Sequence, residues 1–208
     1  MVVGNKFTQL TFTPMVKAAQ ELNGSRHVYA SREHGEVHHD LLGADESAFI
    51  AARDSFYMAT VSEIGWPYIQ HRGGPEGFVR VLDEKSIGFA DFRGNRQYVS
   101  VGNVLKDNRV ALFFMDYPNR TRLKVLGRVR LVDLSDAATL AKLELPGYRA
   151  RVERGFLISI EAFDWNCPQH ITPRFTLRQV EQPAEPLHQR IVELQAEVAR
   201  CRQLPGRT

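Results

Sequence analysis

Two arginines and two side-chain amides crowd one short stretch of this sequence: Arg93, Asn95, Arg96 and Gln97, within Phe89–Asn103. The stretch reads as the end of an apolar strand, a tight turn at Gly94 and a helix running to about Asp107. Backbone N–H groups at a helix start are unpaired and carry partial positive charge. Guanidinium groups beside them make a phosphate site. The basic charge thus lies where the backbone already favours an anion.

Other residues that could do chemistry are less well placed. His34, His38 and His39 flank Gly35 in a polar stretch, which reads as a connecting loop rather than a metal site. Cys167 lies beside Pro168, with His170 as the nearest base, a weak pattern for an activated thiol. Cys167 and Cys201 are isolated, without CxxC spacing, so neither a disulfide framework nor a zinc site is expected, and a reducing compartment fits. No Ser-His-Asp constellation follows from spacing.

The elements that must position the basic turn are mostly strands. Phe56–Val61 and Tyr68–Arg72 flank a Gly-Trp-Pro turn as one hairpin; Phe78–Leu82 and Ile87–Phe92 form another. Val110–Met115 is wholly apolar, which predicts burial on both faces. Arg122–Val132 and Phe156–Phe163 follow, with a short strand expected from Phe175. Helices are expected at 14–22, about 45–54 with Asp45 as N-cap, and 135–144 with Ser135 as N-cap. Asn23–Asp40 reads as loop. From Pro186, Leu187, Ile191, Leu194, Val198 and Cys201 recur at spacings of four and three, an amphipathic helix whose stripe needs a partner, either the domain or a second subunit. Residues 1–54 are therefore read as a helical extension, 55–183 as a barrel and 184–208 as a C-terminal helix. Few long helices and no βαβ rhythm argue for a mainly β fold, an antiparallel barrel or sandwich with peripheral helices, and against a Rossmann domain.

The chain has 208 residues, 43% of them hydrophobic and 25% charged, enough for one sizeable core. The net charge of +3 is mild and no basic tract is present, which disfavours nucleic acid and suits a small anionic ligand. No run reaches membrane-span length, and Met1–Met15 lacks the apolar segment of a secretory signal. A cytoplasmic protein is expected.

The succession Phe56–Val61, Gly65-Trp-Pro-Tyr-Ile-Gln-His-Arg72, Ile87-Gly-Phe-Ala-Asp91, Gly94-Asn-Arg-Gln97, Asn108–Leu112 and Leu126-Gly127 resembles the pyridoxamine 5′-phosphate oxidase-like FMN-binding split-barrel superfamily, in particular its flavin-nucleotide-binding branch. The resemblance implies a six-stranded antiparallel split barrel that dimerises with two FMN molecules at the interface. It implies that the phosphate binds where a strand turns into a helix, often at a Ser-Arg-Lys run. Here that run is Asn95-Arg96-Gln97, with Arg93 available to supply the charge that Gln97 lacks. On the strand that lies along the flavin ring, alternation puts Tyr68, Gln70 and Arg72 on one face, and His71 completes the candidate set. The resemblance also implies that Ala90 and Asp91 lie near the ribityl chain and phosphate. Asp91 would accept from a ribityl hydroxyl or orient Arg96. Arg122 and Lys124 would reach the flavin of the other subunit, and Trp165 would close over the cofactor. The implied function is a flavin-dependent oxidoreductase acting on a small molecule. The alternatives are a non-catalytic FMN carrier or sensor, or a barrel in which haem or a deazaflavin replaces FMN. The Arg and His residues that clamp pyridoxamine phosphate in the true oxidase have no counterpart at matching spacing.

Overall fold

A computed structural model describes residues 3–34, 36–165 and 168–203. Nine strands and seven α-helices are present among the described residues. The first part of the chain comprises β1 (Val3–Asn5), α1 (Lys6–Thr11), α2 (Pro14–Leu22), α3 (Arg26–Tyr29), a 3-10 turn (Ala30–Glu33), β2 (Glu36–His38) and α4 (Ala44–Ala51). The hairpins β3 (Ser55–Val61)/β4 (Pro67–Gly73) and β5 (Arg80–Asp83)/β6 (Ser86–Phe92) follow. Then come α5 (Val99–Lys106), β7 (Arg109–Asp116), β8 (Thr121–Val132), α6 (Ala137–Leu143), β9 (Val152–Trp165) and α7 (Leu177–Gln203).

Seven strands form one antiparallel sheet in the order β4-β3-β7-β8-β9-β6-β5. Its two ends face each other across a side-chain core. Phe56 of β3 stacks on Phe114 of β7 at 4.9 Å and meets Phe89 of β6 edge-on at 5.3 Å, while Phe89 stacks on Phe156 of β9 at 5.0 Å. Aromatic pairs at these separations add to the free energy of burial. The sheet is thus curled into a barrel whose ends meet through side chains rather than through a ladder.

Glycines permit two close approaches. At Gly88 and Gly155 an added Cβ would meet the Leu143 side chain at 2.6 and 2.7 Å, so α6 lies directly on the outside of β6 and β9. At Gly127 the β8–β9 register slips by one residue, and an added Cβ would lie 2.7 Å from the Ser159 carbonyl oxygen. Asn103 of α5 donates to Thr60 of β3 at 2.9 Å in a buried site, which fixes that helix on the barrel.

Several expectations from sequence need correction. Asn23–Asp40 is not simply loop: it holds α3, the 3-10 turn and β2, which pairs in parallel with β1. Glu33 there bridges Lys17 and Arg26, pairs that no local pattern announces. Val110–Met115 is not buried on both faces. Val110, Leu112 and Phe114 are buried, whereas Ala111 is exposed and Phe113 and Met115 are half-buried, because this chain covers only one side of β7. The α4 start is capped by Glu46, whose carboxylate accepts from the Gly43 N–H at 2.9 Å, rather than by Asp45. α6 is capped by Asp136, not Ser135. No strand forms at Phe175; α7 begins at Leu177 and contains Pro183 and Pro186.

Two outcomes follow. Gly127→Ala is expected to destabilise the fold by about 1–3 kcal/mol in a denaturant titration, the usual cost of forcing atoms into a closed gap. Acid should also weaken the fold. Arg109 lowers Asp107 to about 2, backbone N–H donation from Ser135 lowers Asp133, and donation from Thr139 lowers Asp136. A carboxyl depressed by folding contributes stability that is complete above its unfolded value of 3.8 and is lost as pH falls through the folded value. The thermal midpoint should therefore drop as pH is taken from about 4 towards 2, with little change between about 5 and 7.

Candidate functional site

β6 leaves the β9 ladder through an irregularity between Asp91 and Phe92, and after the six residues 93–98 α5 begins. The connection is held in an unusual shape. Arg96 and Tyr98 both have positive φ, 62° and 53°, a left-handed conformation uncommon for non-glycine residues. The Asn95 side-chain oxygen accepts from the Gln97 N–H at 3.1 Å and fixes the turn. Tyr98 precedes the helix without capping it through a side chain, so the first-turn amides of α5 lie open.

The first-turn residues Val99, Ser100 and Val101 line a cavity of about 220 Å³, walled also by β4, β6, the 94–98 turn and Glu153 of β9. Gln70, Arg72, Asp91, Asn95, Arg96 and Gln97 all line it, together with Tyr68. A second cavity of about 170 Å³ shares Gln70, Arg72 and Asp91 and adds His71 and Ala90. Sequence alternation placed Tyr68, Gln70 and Arg72 on the inner face, and they are half-buried there while Ile69 and His71 face outward. His71 meets the Tyr57 ring edge-on at 5.6 Å.

Ion pairing divides the basic groups. Arg72 donates to Asp91 at 2.6 Å, and Arg154 approaches the other Asp91 oxygen at 3.4 Å and Glu153 at 3.3 Å. Arg93 lies 3.6 Å from Glu153 and does not line the cavity. Asp91 therefore orients Arg72 and Arg154, not Arg96. Burial pushes the Asp91 carboxyl up, against the pull of both arginines, and pushes Arg72 down. A guanidinium keeps its proton under such pressure, so the contact is an ion pair. Arg96 differs from the rest. It makes no salt bridge among the described residues, and its Nε donates to the Tyr98 hydroxyl at 3.1 Å, which donates on to Glu153 at 3.3 Å. The Ser100 hydroxyl donates to the Gln70 side-chain oxygen at 2.7 Å, which leaves the Gln70 NH₂ to face the cavity.

The remaining candidates lie elsewhere in this chain. Lys124 pairs with Asp164 at 2.7 Å and sits 4.7 Å from the Phe7 ring centre. Arg122 stacks over Phe113 at 5.6 Å, with its buried Nε unpartnered. The Trp165 indole donates to Glu46 at 2.7 Å and meets Phe49 edge-on at 4.8 Å, so it anchors α4 and is not free to close over its own cavity. Cys167 lies outside the described residues. Sequence reasoning missed Tyr98, Ser100 and Glu153. The first two lie in the stretch that drew attention, but only the fold shows that they turn inward. Glu153 arrives through β6–β9 pairing, which sets Asp91 opposite Arg154.

A family model described as pyridoxamine 5′-phosphate oxidase matches residues 44–157, more than half of the chain. The chain belongs to this family. Among solved structures, HupZ (H111A) of Group A Streptococcus superposes with a TM-score of 0.50 at 16% identity, covering 61% of this chain and 100% of that one. A putative pyridoxamine 5′-phosphate oxidase from Lactobacillus delbrueckii gives 0.47 at 21% identity, covering 60% and 94%. An FMN-binding protein from Syntrophomonas wolfei gives 0.45 at 14% identity, covering 58% and 83%. At these identities the likeness is one of fold. No curated protein matches the chain. Within the family frame, the matched span contains the whole 93–98 turn and both strands that carry Gln70, Arg72 and Asp91.

The buried pair at the seam should dominate local stability. Asp91→Ala leaves Arg72 uncompensated and is expected to cost roughly 3–5 kcal/mol by urea titration. Combining it with Arg72→Leu should recover part of that loss, a coupling that two independent surface residues would not show.

Proposed function

We propose that this protein binds FMN and acts as a flavin-dependent oxidoreductase on a small molecule, as a homodimer with the cofactor at the subunit interface. One observation carries the reading. Arg96, the cavity cation not committed to a carboxylate, is held in a left-handed turn beside the open amides of α5. Such a donor set suits a phosphate.

The other residues fit the rest of the cofactor. The Gln70 NH₂ and the Arg72 guanidinium are donors for ring carbonyls, and Arg72 also has a buried Nε without a partner. Asp91 and Glu153 are acceptors for ribityl hydroxyls. When bound, FMN would supply the redox chemistry; the protein would anchor the phosphate, fix the ring and set its polarity. The two neighbouring cavities, of about 220 and 170 Å³, are each smaller than the ~300–1,000 Å³ usual for a ligand site. A second subunit would complete the walls, with Arg122 and Lys124 as the candidate contacts in trans.

A second reading, an FMN carrier or sensor without catalysis, is favoured by one feature. Both carboxylates at the cavity are already paired with guanidinium groups, in contacts that hold the barrel together.

Titration of the purified chain with FMN should quench flavin fluorescence. Arg96→Ala should weaken binding about 10–100-fold, the loss of charge-assisted hydrogen bonds worth ~1.5–3 kcal/mol. Equal affinity in the variant would sink the phosphate assignment. A Soret band in the purified protein would point to haem instead. Reduction of the bound flavin by NADH or NADPH, with turnover on an added acceptor, supports the enzyme; a flavin that neither donor reduces supports the carrier.

A further inference from the structure

α7 has almost no hold on the rest of the molecule. The one salt bridge that ties it to the barrel among the described residues is Arg178–Glu76, at 2.8 Å between two exposed side chains. Its apolar residues are left open: Leu187 is 66% exposed, Ile191 50%, Leu194 43% and Val198 49%. Most of a helix's stability in a protein comes from packing of its amphipathic face, so this stripe calls for an occupant.

The pattern identifies that occupant. Val180, Ala184, Leu187, Ile191, Leu194 and Val198 recur at strictly alternating spacings of four and three. That is the heptad seam of a coiled coil, and it differs from the broader stripe of a helix lying on a globular core. β-branched Ile191 and Val198 fall at a, and Leu187 and Leu194 fall at d, the combination that favours two strands. Pro183 and Pro186 occupy g and c, off the seam. Between Leu187 and Val198 the residues flanking the seam, at e and g, are His188, Arg190, Gln195 and Glu197. An antiparallel pair matches Arg190 with Glu197. A parallel pair matches Arg190 with Gln195, and Glu197 with position 202, an arginine in the sequence. Neither arrangement brings like charges together, so the face is complementary to itself.

We infer that α7 is a dimerisation helix, whose seam from Leu187 to Val198 packs against α7 of a second copy of this chain in a two-stranded coiled coil. A seam of about three turns is short to hold two chains alone. Joined to a barrel that also pairs, it gains an effective concentration in the millimolar range. In that respect the inference rests on the dimer proposed above.

The test uses the full chain with p-benzoylphenylalanine placed at Gln195, mixed as isotopically light and heavy copies. Light scattering and FMN titration are run on the same samples. The expected result is a dimer in which irradiation links position 195 of one isotopic copy to α7 of the other. Ile191→Asp with Leu194→Asp in that background should reduce the mixed-isotope cross-links at least tenfold while FMN binding stays unchanged. A dimer that gives no α7-to-α7 cross-link, or cross-links that survive the double substitution, overturns this inference alone. A chain that is monomeric by light scattering yet holds FMN overturns the dimer reading and this inference with it.

Discussion

The contact on which the rest of the structure depends is the pair between Arg72 and Asp91. Arg72 belongs to β4, an edge of the seven-stranded sheet, and Asp91 belongs to β6, next to the opposite edge. No ladder joins these strands, so the barrel is closed here by side chains. The Arg72 guanidinium also lies over Phe156 at 5.0 Å and Phe89 at 5.7 Å, which places a cation on the faces of the two rings stacked in the core. One residue thus seals the aromatic core from inside while presenting its polar edge to the cavity. A ladder at this point would have closed the barrel completely and left no cleft; two unconnected edges would have exposed Phe89 and Phe156 to water.

The same device explains why a strained turn is tolerated. Left-handed conformations at Arg96 and Tyr98 are uncommon in non-glycine residues and cost free energy. They persist because both ends of the 93–98 segment are fixed. β6 is held by β9 on one side, and Asn103 ties α5 to β3 on the other. The turn then has little choice but to expose the α5 amides and to project Arg96 away from the carboxylates that take the other arginines. The Tyr98 hydroxyl, between Arg96 and Glu153, holds that guanidinium in place without neutralising it.

The strands, the hairpins and the inward face of β4 were legible in the sequence because each is a local pattern: alternation, turn residues and β-branched runs. The cavity residues from Gln70 to Gln97 were legible as an ordered succession of motifs. What was not legible depends on distant pairing. Glu153 joins the cavity only through the β6–β9 register, and Ser100 only because α5 rolls it onto Gln70. Arg93 read as part of the basic cluster, yet it pairs with Glu153, a residue whose position the sequence does not reveal. The half-covered face of β7 was misjudged for a different reason. Phe113 and Met115 alternate with residues of the core, but an apolar sequence does not say which chain provides the second cover.

Charge balance connects the fold to the proposed ligand. Arg72 and Arg96 line the cavity with two carboxylates, Asp91 and Glu153, and Arg93 and Arg154 stand behind them, paired with those same carboxylates. If every acid served only to lower the local charge, the site would be a poor place for an anion. Instead the acids are spent on the arginines that also carry structure, and the excess positive charge is delivered at Arg96, at the mouth, beside the helix start. A phosphate monoester carries close to two negative charges near neutral pH. It can match that excess without displacing the seam pair, so ligand binding and barrel closure do not compete for Arg72. Gln97, in place of an expected lysine, is consistent with this balance: a further cation at the turn would exceed what a single phosphate can neutralise.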